Sequence, residues 1–231
     1  MAILWDSPLW STRKVSAVIM AGERERQKAD KRERIRAAAW DLFTSQGYAH
    51  TTTREVAERA GIATGTLFRY ASDKADLLFL VYHERLSGAL ERGFASLPRD
   101  APLLDQLLHL FSGFFRMYEA HPDVAREFVR AMPGADGPNA QVLNGLTFGF
   151  LYQLAGLVGE AQSRGQVSRA IDPMQAAANF FALYYGALLG WLSGFSSLEA
   201  SLDPVLKSSL ALQIRGLLPR SDDPSPLAKP A

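Results

Sequence analysis

The 231-residue chain contains no cysteine. That absence excludes a disulfide framework, thiolate-held zinc and thiol nucleophiles, and it suits a reducing, cytoplasmic compartment. Histidine is scarce as well: His50, His83, His109 and His121 stand far apart, with no metal-ligand spacing among them. No glycine-rich phosphate loop or paired catalytic motif occurs, so neither an enzyme, a metal nor a cofactor is expected. No window alternates apolar and polar residues at period two between turn signals, so no strand is expected either. Charge is missing from two long stretches, Gly137 to Gly159 and Met174 to Leu198. By length each could cross a bilayer. Asn144, Gln153, Gln175 and Asn179 interrupt them, however, and no basic flank marks one side. They read as helices buried inside a soluble assembly, with a membrane-associated or scaffolding helical protein as the alternative.

What is present is apolar residue in quantity, 48% of the chain, enough for a sizeable core. The reading is all-α, with two unequal domains over residues 28–90 and 91–218 between disordered tails, 1–27 and 219–231. The first nineteen residues lack the apolar core and cleavage site of a secretory signal, and translation is expected to begin at Met20. The net charge of +1 hides an asymmetry: residues 1–74 carry thirteen Lys and Arg against nine Asp and Glu, and the remainder carries twelve against fifteen. The basic excess is therefore N-terminal.

Ile35, Ala38, Ala39, Leu42 and Phe43 recur on one helical face, and Gly47 stops that helix. Thr52 with Glu55 three residues later forms a capping box that starts a second helix at Thr53, and Gly61 ends it. A short helix over about Ala63 to Tyr70 and a longer one from Lys74 towards Ser96 follow, the latter capped by Ser72-Asp73. Further helices are expected over Leu103 to Ala120, Pro122 to Met132, Gln141 to Arg164, Pro173 to Gly194 and Pro204 to Leu217. Asp172-Pro173 and Asp203-Pro204 each join a capping side chain to a proline whose missing amide hydrogen costs nothing at the first helical position.

The stretch TREVAERAGIATGTLFRY has what two crossed helices on a tight turn need. Ala57 is the small crossing residue and Gly61 the turn; Val56, Ala60, Ile62 and Leu67 are the apolar locks. This reads as a helix-turn-helix for double-stranded DNA. If its second helix enters the major groove, Thr64 and Thr66 face base edges or thymine methyls, and Gly65 lets the backbone approach. Thr53 and Arg54 begin the first helix of the pair, where Arg54 reaches a guanine or a phosphate. Phe68 lies on the same reading surface. Arg69, Tyr70 and Lys74 are placed for phosphates, which position without reading sequence. The segment Arg24 to Arg36, with seven basic and three acidic residues, lies along the DNA backbone or minor groove, or is a solvated helix extension.

Residues Arg34 to Val81 resemble the N-terminal domain of the tetracycline-repressor (TetR) family. The resemblance rests on the first-helix pattern, Gly47, Thr52-Thr53, Ala60-Gly61-Ile62, Gly65-Thr66-Leu67 and the start from Lys74 to Leu78. Phe68 stands where that family usually has a phosphate-binding tyrosine, and Ala71 where an aromatic is common. The resemblance implies a homodimer on a near-palindromic operator, usually repressing, with a small-molecule effector pocket in the larger domain. For that pocket Phe111, Phe115, Tyr118, Phe148, Tyr152 and Phe181 are the candidates, and an apolar or aromatic effector corresponds to them. Ala182, Gly186, Gly190 and Gly194 form a ridge of small residues every fourth position. It is assigned to a dimer seam on the last two helices, with packing inside the same chain as the alternative.

Overall fold

Local sequence sets most of the helix ends in this computed structural model, which describes the backbone of residues 9–219 and the side chains of residues 22–219. Among the described residues every regular element is helical: α1 (Leu9–Ser45), α2 (Thr53–Arg59), α3 (Thr64–Leu67), α4 (Lys74–Ala95), α5 (Leu103–Glu119), α6 (Pro122–Ala131), α7 (Pro138–Ser163), α8 (Pro173–Leu192), α9 (Leu198–Ala200) and α10 (Lys207–Gly216). A π-helical turn, Ser201–Leu206, joins the last two.

Helix α1 extends far into the stretch expected to be disordered. No proline interrupts it, and ion pairs one turn apart, Glu25 with Lys28, Asp30 with Arg34 and Glu33 with Arg36, line its exposed faces. Residues 1–8 of the expected N-terminal tail, the Met20 side chain and residues 220–231 of the expected C-terminal tail lie outside the described residues.

Helix α2 starts on the expected capping box: the Thr52 hydroxyl accepts from Glu55 N at 3.2 Å, and the Glu55 carboxylate accepts from Thr52 N at 2.7 Å. It closes on Gly61 at φ +66°, with Gly61 N donating to Glu58 O and Ile62 N to Ala57 O. This paired closure suits a residue without Cβ. Helix α3 is shorter than expected; after one α turn the chain tightens, Arg69 N donating to Thr66 O and Tyr70 N to Leu67 O. Asp172 caps α8 by accepting from Met174 N and Gln175 N. The matching start at Asp203-Pro204 is not built: Asp203 is extended at a kink, and its carboxylate accepts from Lys207 Nζ at 2.7 Å instead of capping.

The apolar face of α1 (Ile35, Ala38, Ala39, Leu42, Phe43) packs on Val56, Ala57, Ala60 and Leu67, making the small N-terminal core. The expected domain boundary at 90/91 falls inside the continuous helix α4, which joins the two units. Trp40 of α1 packs edge-on to Tyr82 of α4 and to His121 before α6, with the Arg85 guanidinium over its ring. Tyr82 stacks on Phe128 at 4.1 Å, continuing the aromatic core into α6.

Candidate nucleic-acid interface and internal cavity

The helix-turn-helix locks lie inside: Val56, Ala57, Ala60 and Leu67 are buried and Ile62 half-buried. On the outer surface Arg54, Gly65, Phe68 and Arg69 are exposed, and Thr53, Thr64, Thr66, Tyr70 and Lys74 half-buried. Phe68 keeps 49% of its surface in solvent, an apolar ring on an otherwise polar reading face. Ala71 is buried, so the position that resembles an aromatic one is filled by core packing. Lys74 is engaged within the chain. Its ammonium donates to Tyr48 O at 2.9 Å and Ala49 O at 3.3 Å and lies 4.4 Å from the Tyr48 ring centroid. The Thr52 hydroxyl, then its backbone amide, hold the Glu55 carboxyl below the usual range. That keeps the capping carboxylate charged at the start of α2.

Beside the reading face runs a cleft of about 300 Å³ that joins the forward half of α1 to it. Arg24, Gln27, Lys28 and Lys31, spaced along one face of α1, oppose Thr66, Arg69 and Tyr70, and no acidic side chain lines the cleft. Composition indicates a basic segment; which of its faces turns towards the reader depends on how α1 crosses α2 and α3.

A second site lies inside the larger unit, a narrow cavity of about 50 Å³ between α4, α5, α6, α7 and α8. Its walls include Leu86, Leu90, Phe114, Tyr118, Phe128, Met132, Leu143, Leu146, Thr147, Phe150, Phe181 and Tyr184, none of them charged. Of the expected lining, Tyr118 and Phe181 are there. Phe111 and Phe115 are fully buried behind the wall, where Phe111 stacks on Tyr184 at 4.7 Å. Phe148 and Tyr152 are 64% and 70% exposed on the opposite side of α7. Helix α7 is apolar almost all round, so its periodicity could not assign an inner face. Burial pushes the Tyr118 hydroxyl far above its ordinary value, with the nearby Tyr184 hydroxyl adding to it, and burial does the same to Tyr184. Both remain neutral donors at any working pH. Among the described residues no group of three His, Asp or Glu could hold a metal.

The small-residue ridge is shorter than expected. Ala182 and Gly186 are exposed on α8 and Gly190 is half-buried near Ser196, whereas Gly194 adopts φ +80° and ends the helix. Gly194 N donates to Trp191 O and Phe195 N to Gly190 O, the same closure as at Gly61. Leu189 on α8 and Leu212 on α10 join Phe148 and Tyr152 among the exposed apolar side chains. Among the described residues α7 is the one helix long and apolar enough to cross a membrane by length and composition.

A family model described as "Bacterial regulatory proteins, tetR family" matches residues 35–81. The Fatty acid metabolism regulator protein of Bacillus subtilis (strain 168) is 22% identical over 192 residues, 83% of this chain and 98% of that one. The HTH-type transcriptional regulator HbdR of Aromatoleum sp. (strain CIB) is 32% identical over 98 residues, 41% of each chain. Among solved structures, Thermus thermophilus FadR in complex with lauroyl-CoA superposes with a TM-score of 0.67 at 22% identity, covering 86% of this chain and all of that one. FadR from Bacillus subtilis in complex with stearoyl-CoA gives 0.63 at 22% identity, covering 80% and 98%.

Proposed function

Because its N-terminal domain makes the chain a member of the tetR family of bacterial regulatory proteins, we propose that it is a cytoplasmic, ligand-released repressor reading a near-palindromic operator as a homodimer. The observation that carries this reading is the exposed reader surface, Thr64 to Tyr70, flanked by the basic cleft of α1. Thr64, Thr66 and Phe68 face base edges and thymine methyls, while Arg24, Lys28, Lys31 and Arg69 meet phosphates on either side. No catalytic role is assigned to it.

The effector is an apolar chain, a long-chain acyl thioester. The two FadR structures named above hold lauroyl-CoA and stearoyl-CoA. The lining here matches an acyl chain in character, an uncharged aromatic and aliphatic wall. The dimer seam takes the exposed apolar faces of α7, α8 and α10, which include Phe148 and Tyr152 as well as Ala182 and Gly186.

Selection of bound sequences from random duplex DNA with the purified protein tests the first part. An inverted repeat is expected, and failure to enrich any sequence overturns the reading. On the selected operator, lauroyl-CoA should release the protein while coenzyme A alone should not; equal effects of the two would remove the acyl assignment and leave DNA reading intact.

A further inference from the structure

Helix α7 begins without a cap of its own. Its N-cap is Gly137, which has no side chain, and Pro138 follows, so the first available amides belong to Asn139 and Ala140. Both donate to Oδ1 of Asp76, at 3.0 and 3.2 Å, so a buried carboxylate on α4 caps a helix that begins 62 residues later. The other oxygen of Asp76 accepts from Ser72 N at 3.1 Å and Asn139 Nδ2 at 2.9 Å. The Asn139 amide is used fully. It also donates to the carbonyl of Tyr70 at 2.8 Å and accepts from Arg32 Nη2 of α1 at 3.0 Å. Tyr70 is the last residue of the reader turn. Gly137 is required by the same geometry, since a Cβ there would lie 2.4 Å from Asp76 Oδ1.

We propose that Asn139 and Asp76 are positioning residues for DNA reading: they clamp the end of the reader turn to α7, so that displacement of α7 by an occupant of the cavity releases it. The route is short. Leu143, Leu146 and Thr147, which line the cavity, lie one to two turns along α7 from Asn139. An α-helix moves as a rod over that length, so an occupant that pushes these side chains outward carries Asn139 away from Tyr70 and Arg32. The clamp is made of polar bonds in a buried site, and the pair therefore opens discretely instead of stretching. The link to DNA affinity rests on the operator-binding reading, whereas the clamp itself does not.

Hydrogen exchange on the full chain tests the clamp. In Asn139→Ala, exchange in the peptide 64–72 should rise about tenfold over wild type, while peptides of α8 keep their wild-type rates. Gly137→Ala, which adds one methyl against Asp76, should act in the same direction. Arg32→Gln, which removes one half-buried partner and leaves the core intact, should do so with smaller amplitude. Unchanged exchange at 64–72 in all three overturns the proposal. For the coupling, Leu146→Trp fills the cavity in place of an effector and should weaken operator binding about tenfold in the wild-type background and far less in the Asn139→Ala background. Equal fold losses in both backgrounds, or none in the wild type, overturn the coupling. Failure of the wild type to enrich any operator would instead reject the DNA reading, and the exchange rates would still judge the clamp.

Discussion

At the scale of single residues, Lys74 separates two kinds of basic side chain near the reader. Its sequence position, at the start of α4, suggests a phosphate contact, but two of its ammonium hydrogens already go to Tyr48 O and Ala49 O. Lys28 and Arg69 are exposed and Lys31 half-buried, all around a cleft without acidic lining. Lys74→Ala should therefore cost about 1 to 2 kcal/mol of stability in urea unfolding, because it strips partners from charge-assisted bonds. Lys28→Gln, Lys31→Gln and Arg69→Gln should each leave stability within about 0.5 kcal/mol. Each should instead reduce the salt slope of operator binding by about one. A Lys74 variant of wild-type stability with a flattened salt slope would reverse these assignments. Thr52→Ala, which removes the hydroxyl cap of α2, should lower stability by about 1 kcal/mol, measured in the same unfolding series.

At the scale of helices, what was legible in the sequence was what short-range chemistry dictates. The α2 cap at Thr52, the turn at Gly61 and the α8 start at Asp172 all follow from donors and acceptors within a few residues. Gly194 is ambiguous in sequence because glycines four apart describe a helix ridge and a helix terminator equally well, and only the left-handed φ separates them. The outward placement of Phe148 and Tyr152 is not legible in sequence because α7 has no polar face to mark its outside. The Asp76–Asn139 clamp was invisible because its partners lie 63 residues apart and share no local pattern. Helix α4 also carries a pH response. Burial, then the Arg32 charge, lower the pKa of His83 below 6.5, against a smaller opposing effect of Glu84. The unfolded chain then takes up a proton first as pH falls. Stability from this group is present above pH 6.5 and is lost as pH drops through the lower folded value. The urea midpoint of wild type should accordingly fall more than that of His83→Gln between about pH 7.5 and about pH 5.5, and parallel curves would remove His83 from this role.

At the scale of the whole molecule, the decisive feature is the nearly uncharged outer surface of α7 and α8. Helix α8 has no charged residue and α7 only Glu160, yet Phe148, Tyr152 and Leu212 stay 64%, 70% and 65% exposed in the protomer. A stable seam needs about 1,200 to 2,000 Å² of buried surface with an apolar centre, and these helices supply apolar side chains flanked by the small residues Ala182 and Gly186. If the proposed seam is right, the pair Tyr152→Glu and Leu212→Glu should convert the proposed dimer to monomer in sedimentation at about 10 µM, since four buried carboxylates per dimer would have no partners there. Both positions are solvent-facing in the protomer, so helical content and the unfolding midpoint of the monomer should change little. Operator affinity should fall by about 10² or more, because two linked readers on one inverted repeat bind with an effective concentration that a single reader lacks. Half-site affinity, measured on a duplex carrying one arm of the repeat, should remain within about threefold of wild type. A double variant that sediments as a dimer and keeps full operator affinity would move the seam off α7 and α10.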